Sequence, residues 1–233
     1  MPPPTKPISD QLPLDLGHRP AMGMDDFLVA DGNRDAVAWL DRWPNWPGSA
    51  LVLHGATGCG KTHLAHVWRA ASGATLTTGP ALAAADPPGL LAGVRAVAVD
   101  DADRLSGAVA EETLLHLINL VAESGCFLLL TGASAPARWP FALPDLTSRL
   151  RAMPAVAVGA PDDALLSAVL VKLFADRQLA ASAEVVAYVV PRMERSFAAA
   201  RRLVGALDAA SLSRRQAVTV PLARAVLEGI ERG

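Results

Sequence analysis

Five short apolar runs punctuate the first part of the chain: ALVLH at 50–54, ATLTT at 74–78, VRAVAVDD at 94–101, CFLLLTG at 126–132 and PAVAVGA at 154–160. Their length and their valine and leucine content predict buried strands. Between them, apolar residues recur at helical spacing. Ala36, Val37 and Leu40 follow Asp31 to Asn33, which are placed to cap a first helix. Leu64, Ala65, Val67 and Trp68 mark a second, and VAEETLLHLINLVAE at 109–123 a long one. Strands and helices alternating in this way predict a parallel sheet covered by helices on both faces.

From Pro161 the pattern changes. DDALLSAVLVKLFADRQL, SAEVVAYVVPRM, SFAAARRLVGALDAASL and VPLARAVLEGI are four helical patterns with no strand among them, and Pro191 and Pro221 sit at helix boundaries. A small all-helical lid on an α/β core is expected, with the boundary near Gly159 to Pro161. The expected division is a tail over 1–22, the core over 23–160 and the lid over 161–233.

The tail opens MPPPTKPISD and continues QLPLDL, with Leu12, Leu14 and Leu16 on alternate positions. That alternation fits a half-buried edge strand. Pro13 inside the run removes a backbone donor, and Pro2, Pro3, Pro4 and Pro7 crowd the approach. An extended peptide whose leucines dock into another protein's pockets, with Gln11 fixing the register, fits the same letters. Periodicity leaves both readings open.

Composition narrows the field. A chain of 233 residues holds one substantial domain with a small satellite. No apolar run reaches the ~20 residues that span a bilayer, and the first thirty residues lack a signal-peptide core, so a cytoplasmic protein without membrane contact is expected. Lys and Arg number 21 against 23 Asp and Glu, a net charge of -2, which gives no global basic field for DNA. The basic pairs Arg201–Arg202 and Arg214–Arg215 read as solvated helix faces, and any DNA contact is weak or indirect. Cys59 and Cys126 lack metal-ligand spacing and are expected as reduced thiols.

The chemistry is concentrated in Gly55, Ala56, Thr57, Gly58, Cys59, Gly60, Lys61 and Thr62, which spell G-x-x-x-x-G-K-T between a predicted strand and a predicted helix. Glycines let backbone N–H groups turn inward around phosphate oxygens. Lys61 is placed to pair with the β- and γ-phosphates, the Thr62 hydroxyl to meet Mg²⁺, and the helix N-terminus to face the anion. The run AVAVDD ends in two carboxylates: Asp100 is placed to hold Mg²⁺ through water and Asp101 to orient an attacking water. Arg149, in DLTSRL, closes a short predicted helix before the fifth strand. It reads either as a surface charge or as a cation for a neighbour's phosphoryl transfer.

Taken together, QLPLDL, DDFLVADGN, GATGCGKTHL, AVAVDDAD, LLLTGASAPARWPFALPDLTSRL and LDAASLSRRQAVTVPLARAVL resemble the AAA+ proteins of the DnaA type, and within them the short Hda family of regulatory inactivators of DnaA. The resemblance runs over nearly the whole chain. It implies an AAA+ P-loop core with a five-stranded parallel sheet and a helical lid, bound ADP or ATP with Mg²⁺, and feeble intrinsic turnover at most. It implies that Gln11, Leu12, Leu14 and Leu16 dock on the β subunit of the DNA polymerase III sliding clamp, the tail QLPLDL being similar to the clamp-binding pattern. It implies that Arg149 acts in trans on ATP held by DnaA, preventing re-initiation of replication, and it allows a homo-oligomer. The chain ends at Gly233 without the helix-turn-helix domain that DnaA carries beyond its lid. The resemblance also places Ala133 and Ala198 at the family's two sensor positions, with Arg195 as the lid residue reaching the nucleotide. The competing expectations are a free-standing P-loop ATPase or small-molecule kinase, and a DnaA-like replication adaptor acting on DNA or a helicase.

Overall fold

The structure, a computed structural model, describes residues 28–214 and 216–231. Each of the five apolar runs contains a strand: β1 Ala50–His54, β2 Thr75–Thr78, β3 Ala96–Asp100, β4 Phe127–Gly132 and β5 Ala155–Ala157. They form one parallel sheet in the order β2-β3-β4-β1-β5. In register, Ala50 lies opposite Leu128 and Val52 opposite Ala155, so β1 is paired on both sides. Being covered above and below, the central strands are apolar along most of their length, with His54, Asp100 and Thr131 towards their C-terminal ends, and the two-residue period of the strand sends alternate side chains to opposite faces.

That alternation creates two separate cores. Val52, Val97, Val99, Leu128 and Leu130 pack on one face against Leu114, Leu117, Ile118 and Val121 of α5 (Ala108–Ser124) and Leu146 and Leu150 of α6 (Pro144–Ala152). Leu51, Leu53, Ala96, Ala98 and Leu129 pack on the other against Leu40 of α1 (Arg34–Asp41) and Leu64, Ala65 and Trp68 of α2 (Lys61–Ser72). Two short helices, α3 (Gly79–Leu82) and α4 (Pro87–Leu90), complete the core. Full burial of a leucine or valine contributes roughly 1.5–3 kcal/mol each, so these faces hold the sheet in place. Cys126 belongs to the first cluster and Cys59 to the second; both are buried, free thiols.

Asn33 stands at the N-cap position of α1, as its sequence suggests, but its side chain does not cap the helix. Its Oδ1 accepts from the Ala30 N–H at 2.8 Å and its Nδ2 donates to the Leu28 carbonyl at 3.0 Å, so the buried amide braces the chain entering the domain. One donor and one acceptor are used there, and the side-chain amide supplies both, which a carboxylate could not.

Beyond the sheet come four further helices, α7 (Asp163–Asp176), α8 (Ala183–Val189), α9 (Phe197–Arg214) and α10 (Val220–Glu231). Asp162 starts the first by accepting the Leu165 N–H at 2.8 Å. Leu166, Leu170, Val189, Leu203, Leu207 and Leu222 form a third core, separate from the two sheet faces. One β-bridge, Ala181 to Val218, ties the loops ahead of α8 and α10, a contact that helical periodicity does not reveal. Among the described residues no helix is long and apolar enough to cross a membrane.

Candidate nucleotide-binding site

At the C-terminal end of β1 the chain turns through the glycine loop into α2. Gly58 and Gly60 have φ of 80° and 110°, a region L side chains avoid. Neighbours exclude a side chain as well. A Cβ at Gly58 would lie 2.7 Å from the Ser196 Cβ, and one at Gly55 would lie 2.2 Å from the Val158 carbonyl oxygen. No side chain caps α2 at Gly60, so its first-turn N–H groups and the positive end of its dipole are left to the concave side of the loop. Lys61 is 6% exposed; its Nζ donates to the carbonyls of Gly55 at 2.7 Å and Ala56 at 3.0 Å.

The carboxylate side is tied to the loop by a residue that sequence reasoning missed. Asp100, at the end of β3, is buried, and its Oδ2 accepts from the Thr62 hydroxyl at 2.8 Å. Its Oδ1 accepts from Thr131 Oγ1 at 2.6 Å, and the same Thr131 oxygen accepts from the Asp101 N–H at 2.9 Å. Thr131 is fully buried on β4 and holds both aspartates in register. Asp101 itself adopts the left-handed region, with φ of 50°, and its carboxylate lies 3.5 Å from Arg104. Beside it, the Ala133 N–H donates to Asp103 Oδ2 at 2.7 Å, so the polar group at this end of β4 comes from the β3 loop and not from position 133.

A pocket of about 470 Å³ opens over the loop. Gly58, Lys61 and Thr62 form its floor, Leu165, Val169 and Leu173 of α7 an apolar wall, and Phe197 and Arg201 of α9 another side. The helical unit touches the loop directly: the Phe197 N–H donates to the Gly58 carbonyl at 2.9 Å, and Ser196, almost wholly buried, accepts the Ala199 N–H to start α9. The lid residue expected at the nucleotide, Arg195, is turned away. Its Nη2 lies 2.8 Å from Asp163 Oδ1, and it is absent from the pocket wall. The arginine of α9 on that wall is Arg201, one helical turn beyond Ala198. Arg195 lies just ahead of α9, whereas Arg201 lies within it.

His54, between β1 and the loop, has its pKa lowered from the ordinary histidine value, first because it is partly buried and then because of the Lys61 charge. It is therefore neutral at pH 7. The donor set fits a nucleotide with its metal: inward backbone amides and a fixed lysine for phosphate, and a threonine hydroxyl beside a buried carboxylate, oxygen donors of the kind Mg²⁺ takes.

The remaining predicted residues lie elsewhere. Arg149 is on α6, away from the pocket wall; its Nε is 3.4 Å from Asp145 Oδ1 on its own helix, with the two side chains 44% and 58% exposed. Gln11, Leu12, Leu14 and Leu16 lie outside the described residues.

Residues 163–227 match the family model "Hda, lid domain". No curated protein matches the chain. Among solved structures, domain III of the Thermotoga maritima replication initiation protein DnaA superimposes with a TM-score of 0.76 at 19% identity, covering 91% of this chain and 97% of that one. AMPPCP-bound DnaA from Aquifex aeolicus gives 0.64 at 19% identity, over 80% of this chain and 65% of that one. A variant of Thermotoga maritima RuvB gives 0.65 at 18%, over 84% and 67%. At these identities the structural likeness speaks for the fold alone, a five-stranded parallel sheet with a helical unit beyond it, and the family match speaks for residues 163–227. Residues 163–227 are thus similar to the Hda lid, and the fold of the described residues is similar to that of DnaA domain III.

Proposed function

We propose that the chain is a regulator of replication initiation that binds an adenine nucleotide in its own pocket and uses Arg149 on a partner's. ADP or ATP with Mg²⁺ sits against Lys61, Thr62 and Asp100, with Arg201 approaching from the lid. The tail residues Gln11, Leu12, Leu14 and Leu16 dock on the sliding clamp, and Arg149 enters the ATP site of DnaA to speed hydrolysis. The protein works in the cytoplasm, as a tail over 1–22, a core over 23–160 and a lid over 161–233.

One observation carries the reading. Arg149 is exposed, lies off the wall of the chain's own pocket, and among the described residues is paired with a carboxylate of its own helix. An exposed pair of this kind is worth a few tenths of a kcal/mol, so the guanidinium is free to exchange Asp145 for a stronger anion. A planar, permanently charged fork is suited to the spreading charge of a transferring phosphoryl group. The lid family and the DnaA fold support DnaA as the partner.

The test is a reconstituted mixture of ATP-loaded DnaA, DNA-loaded clamp and this protein, run beside a pull-down on purified clamp with and without residues 11–16. The reading expects clamp capture and accelerated ATP hydrolysis, both lost with the hexapeptide. Capture that persists without residues 11–16 would return the tail to the edge-strand alternative. Vigorous ATP turnover by the isolated chain, with no effect on DnaA, would favour a free-standing ATPase.

A further inference from the structure

We infer that Glu111 is a positioning residue for Arg149: from α5 it holds the start of α6 and so sets where the arginine is presented. The inference rests on the reading of Arg149 given above.

Glu111 is a carboxylate in the first turn of α5 and is only 7% exposed. Its Oε2 accepts from the N–H of Leu143 at 2.7 Å and of Ala142 at 3.0 Å, and its Oε1 lies 3.2 Å from the same Ala142 nitrogen. Those two amides immediately precede α6. No salt bridge to Glu111 occurs among the ion pairs of the described residues, so the buried charge is compensated by backbone donors and by the positive end of the α6 dipole. Removing a carboxylate from water costs several kcal/mol unless such partners are fixed in place. A group of this kind therefore resists any shift of the amides it binds.

The helix needs the support. Leu143, at its N-cap, offers no side-chain cap, and Pro144 at the first position has no N–H to contribute. Leu146 and Leu150, both fully buried, fix the roll of α6 against the sheet. Its N-terminal end is held by Glu111 together with the packing of Leu143 against the same core. Arg149 lies between those two anchors in sequence, on the face turned to solvent, roughly 9 Å along the axis from Leu143 at 1.5 Å per residue. Misplacing a transition-state group by about an ångström is enough to cost on the order of 10² in rate.

The path of the chain adds a second reason. β3 ends at Asp100, and the same segment runs through Asp103 into α5 and Glu111. The carboxylate gripping α6 is thus eleven residues beyond the aspartate that faces the chain's own nucleotide loop.

Glu111→Gln tests this with little change of shape. The amide keeps one acceptor and sets an NH₂ against an N–H of Ala142 or Leu143. Hydrogen–deuterium exchange of residues 140–152, nucleotide affinity, and clamp-dependent stimulation of DnaA-bound ATP hydrolysis are measured on the full chain for the parent, E111Q, R149A and the double variant. The expected result is faster exchange confined to 140–152, parental nucleotide affinity, and a drop of tenfold or more in maximal stimulation. The concentration giving half-maximal effect stays within about twofold, and the double variant is no slower than R149A. A cap with a structural role alone would leave maximal stimulation unchanged in folded protein. Unchanged exchange over 140–152 overturns the inference directly. Parental stimulation by E111Q with none by R149A overturns it while leaving the arginine reading intact; parental stimulation by R149A overturns both.

Discussion

Two cations in this molecule are held in opposite ways. Lys61 is almost wholly buried and bonded to two backbone carbonyls of the loop it belongs to, whereas Arg149 is half-exposed and, among the described residues, paired with Asp145 one turn away. The first is fixed before any ligand arrives, so little ordering cost remains when phosphate binds. The second is anchored through its helix while its tip stays mobile in choice of partner. On the function proposed above, Lys61 serves its own chain's nucleotide and profits from the first arrangement, and Arg149 serves another chain's and profits from the second.

Separate losses would make that contrast concrete. The largest effect is expected for R149A: stimulation of DnaA-bound ATP hydrolysis falls on the order of 10³ to 10⁵, with the chain's own nucleotide affinity and its clamp binding unchanged. R149K recovers only part of the rate, because the planar fork is lost. Calorimetry with ADP beside the reconstituted hydrolysis assay reads both sides. If R149A weakens ADP binding as much as hydrolysis, the two cations are not separate devices.

K61A is the converse. Loss of charge-assisted hydrogen bonds worth about 1.5–3 kcal/mol weakens ADP and ATP binding roughly ten- to a hundredfold. Equal affinities in parent and variant would remove the glycine loop from the account.

Smaller is T131V, which leaves the Asp101 N–H and one oxygen of Asp100 without their shared partner. A cost of about 1–3 kcal/mol lowers Tm by several degrees, seen in thermal unfolding without nucleotide. A parental Tm would mean that Asp100 is held by Thr62 alone.

The smallest effect concerns His54. Its folded pKa is lowered, so as pH drops below the ordinary value the unfolded chain takes up a proton before the folded one does. Its stabilising contribution is complete above about pH 6.5 and is lost as pH falls through the lowered folded value. H54N should therefore flatten part of the decline in Tm between neutral and mildly acid pH. A decline of equal steepness in parent and variant would assign it to other groups.

The buried half of this contrast was far more legible in the sequence than the exposed half. The glycine loop, Lys61 and Thr62 are contiguous, and Asp100 ends an unbroken apolar strand, so local pattern was enough. Thr131 was invisible because CFLLLTG reads as a strand and its hydroxyl, in a run that apolar, gives no hint of two aspartates thirty residues earlier. Glu111 shares a Glu–Glu pair with Glu112 on a helix, a pattern that reads as a solvated face; only the fold shows that the first carboxylate turns inward. Among the lid arginines, Arg195, Arg201 and Arg202 are equivalent in composition, and which meets the pocket depends on the phase of α9 against the loop, a tertiary quantity. The four helical patterns of the lid were read correctly, but their joining bridge at Ala181 and Val218 was not.

The hydrogen bond from the Phe197 N–H to the Gly58 carbonyl, with Ser196 packed where a Gly58 side chain would stand, sets a rule for building hybrids. A cut at residue 161 looks natural on the linear map, since the sheet ends before it and a separate core begins after it. Yet the recipient's glycine loop and the donor's 196–198 segment form one joint, and a graft that moves either alone replaces a fitted contact with a collision or a gap. Recombination among relatives should accordingly carry the two segments together, although more than a hundred residues separate them along the chain.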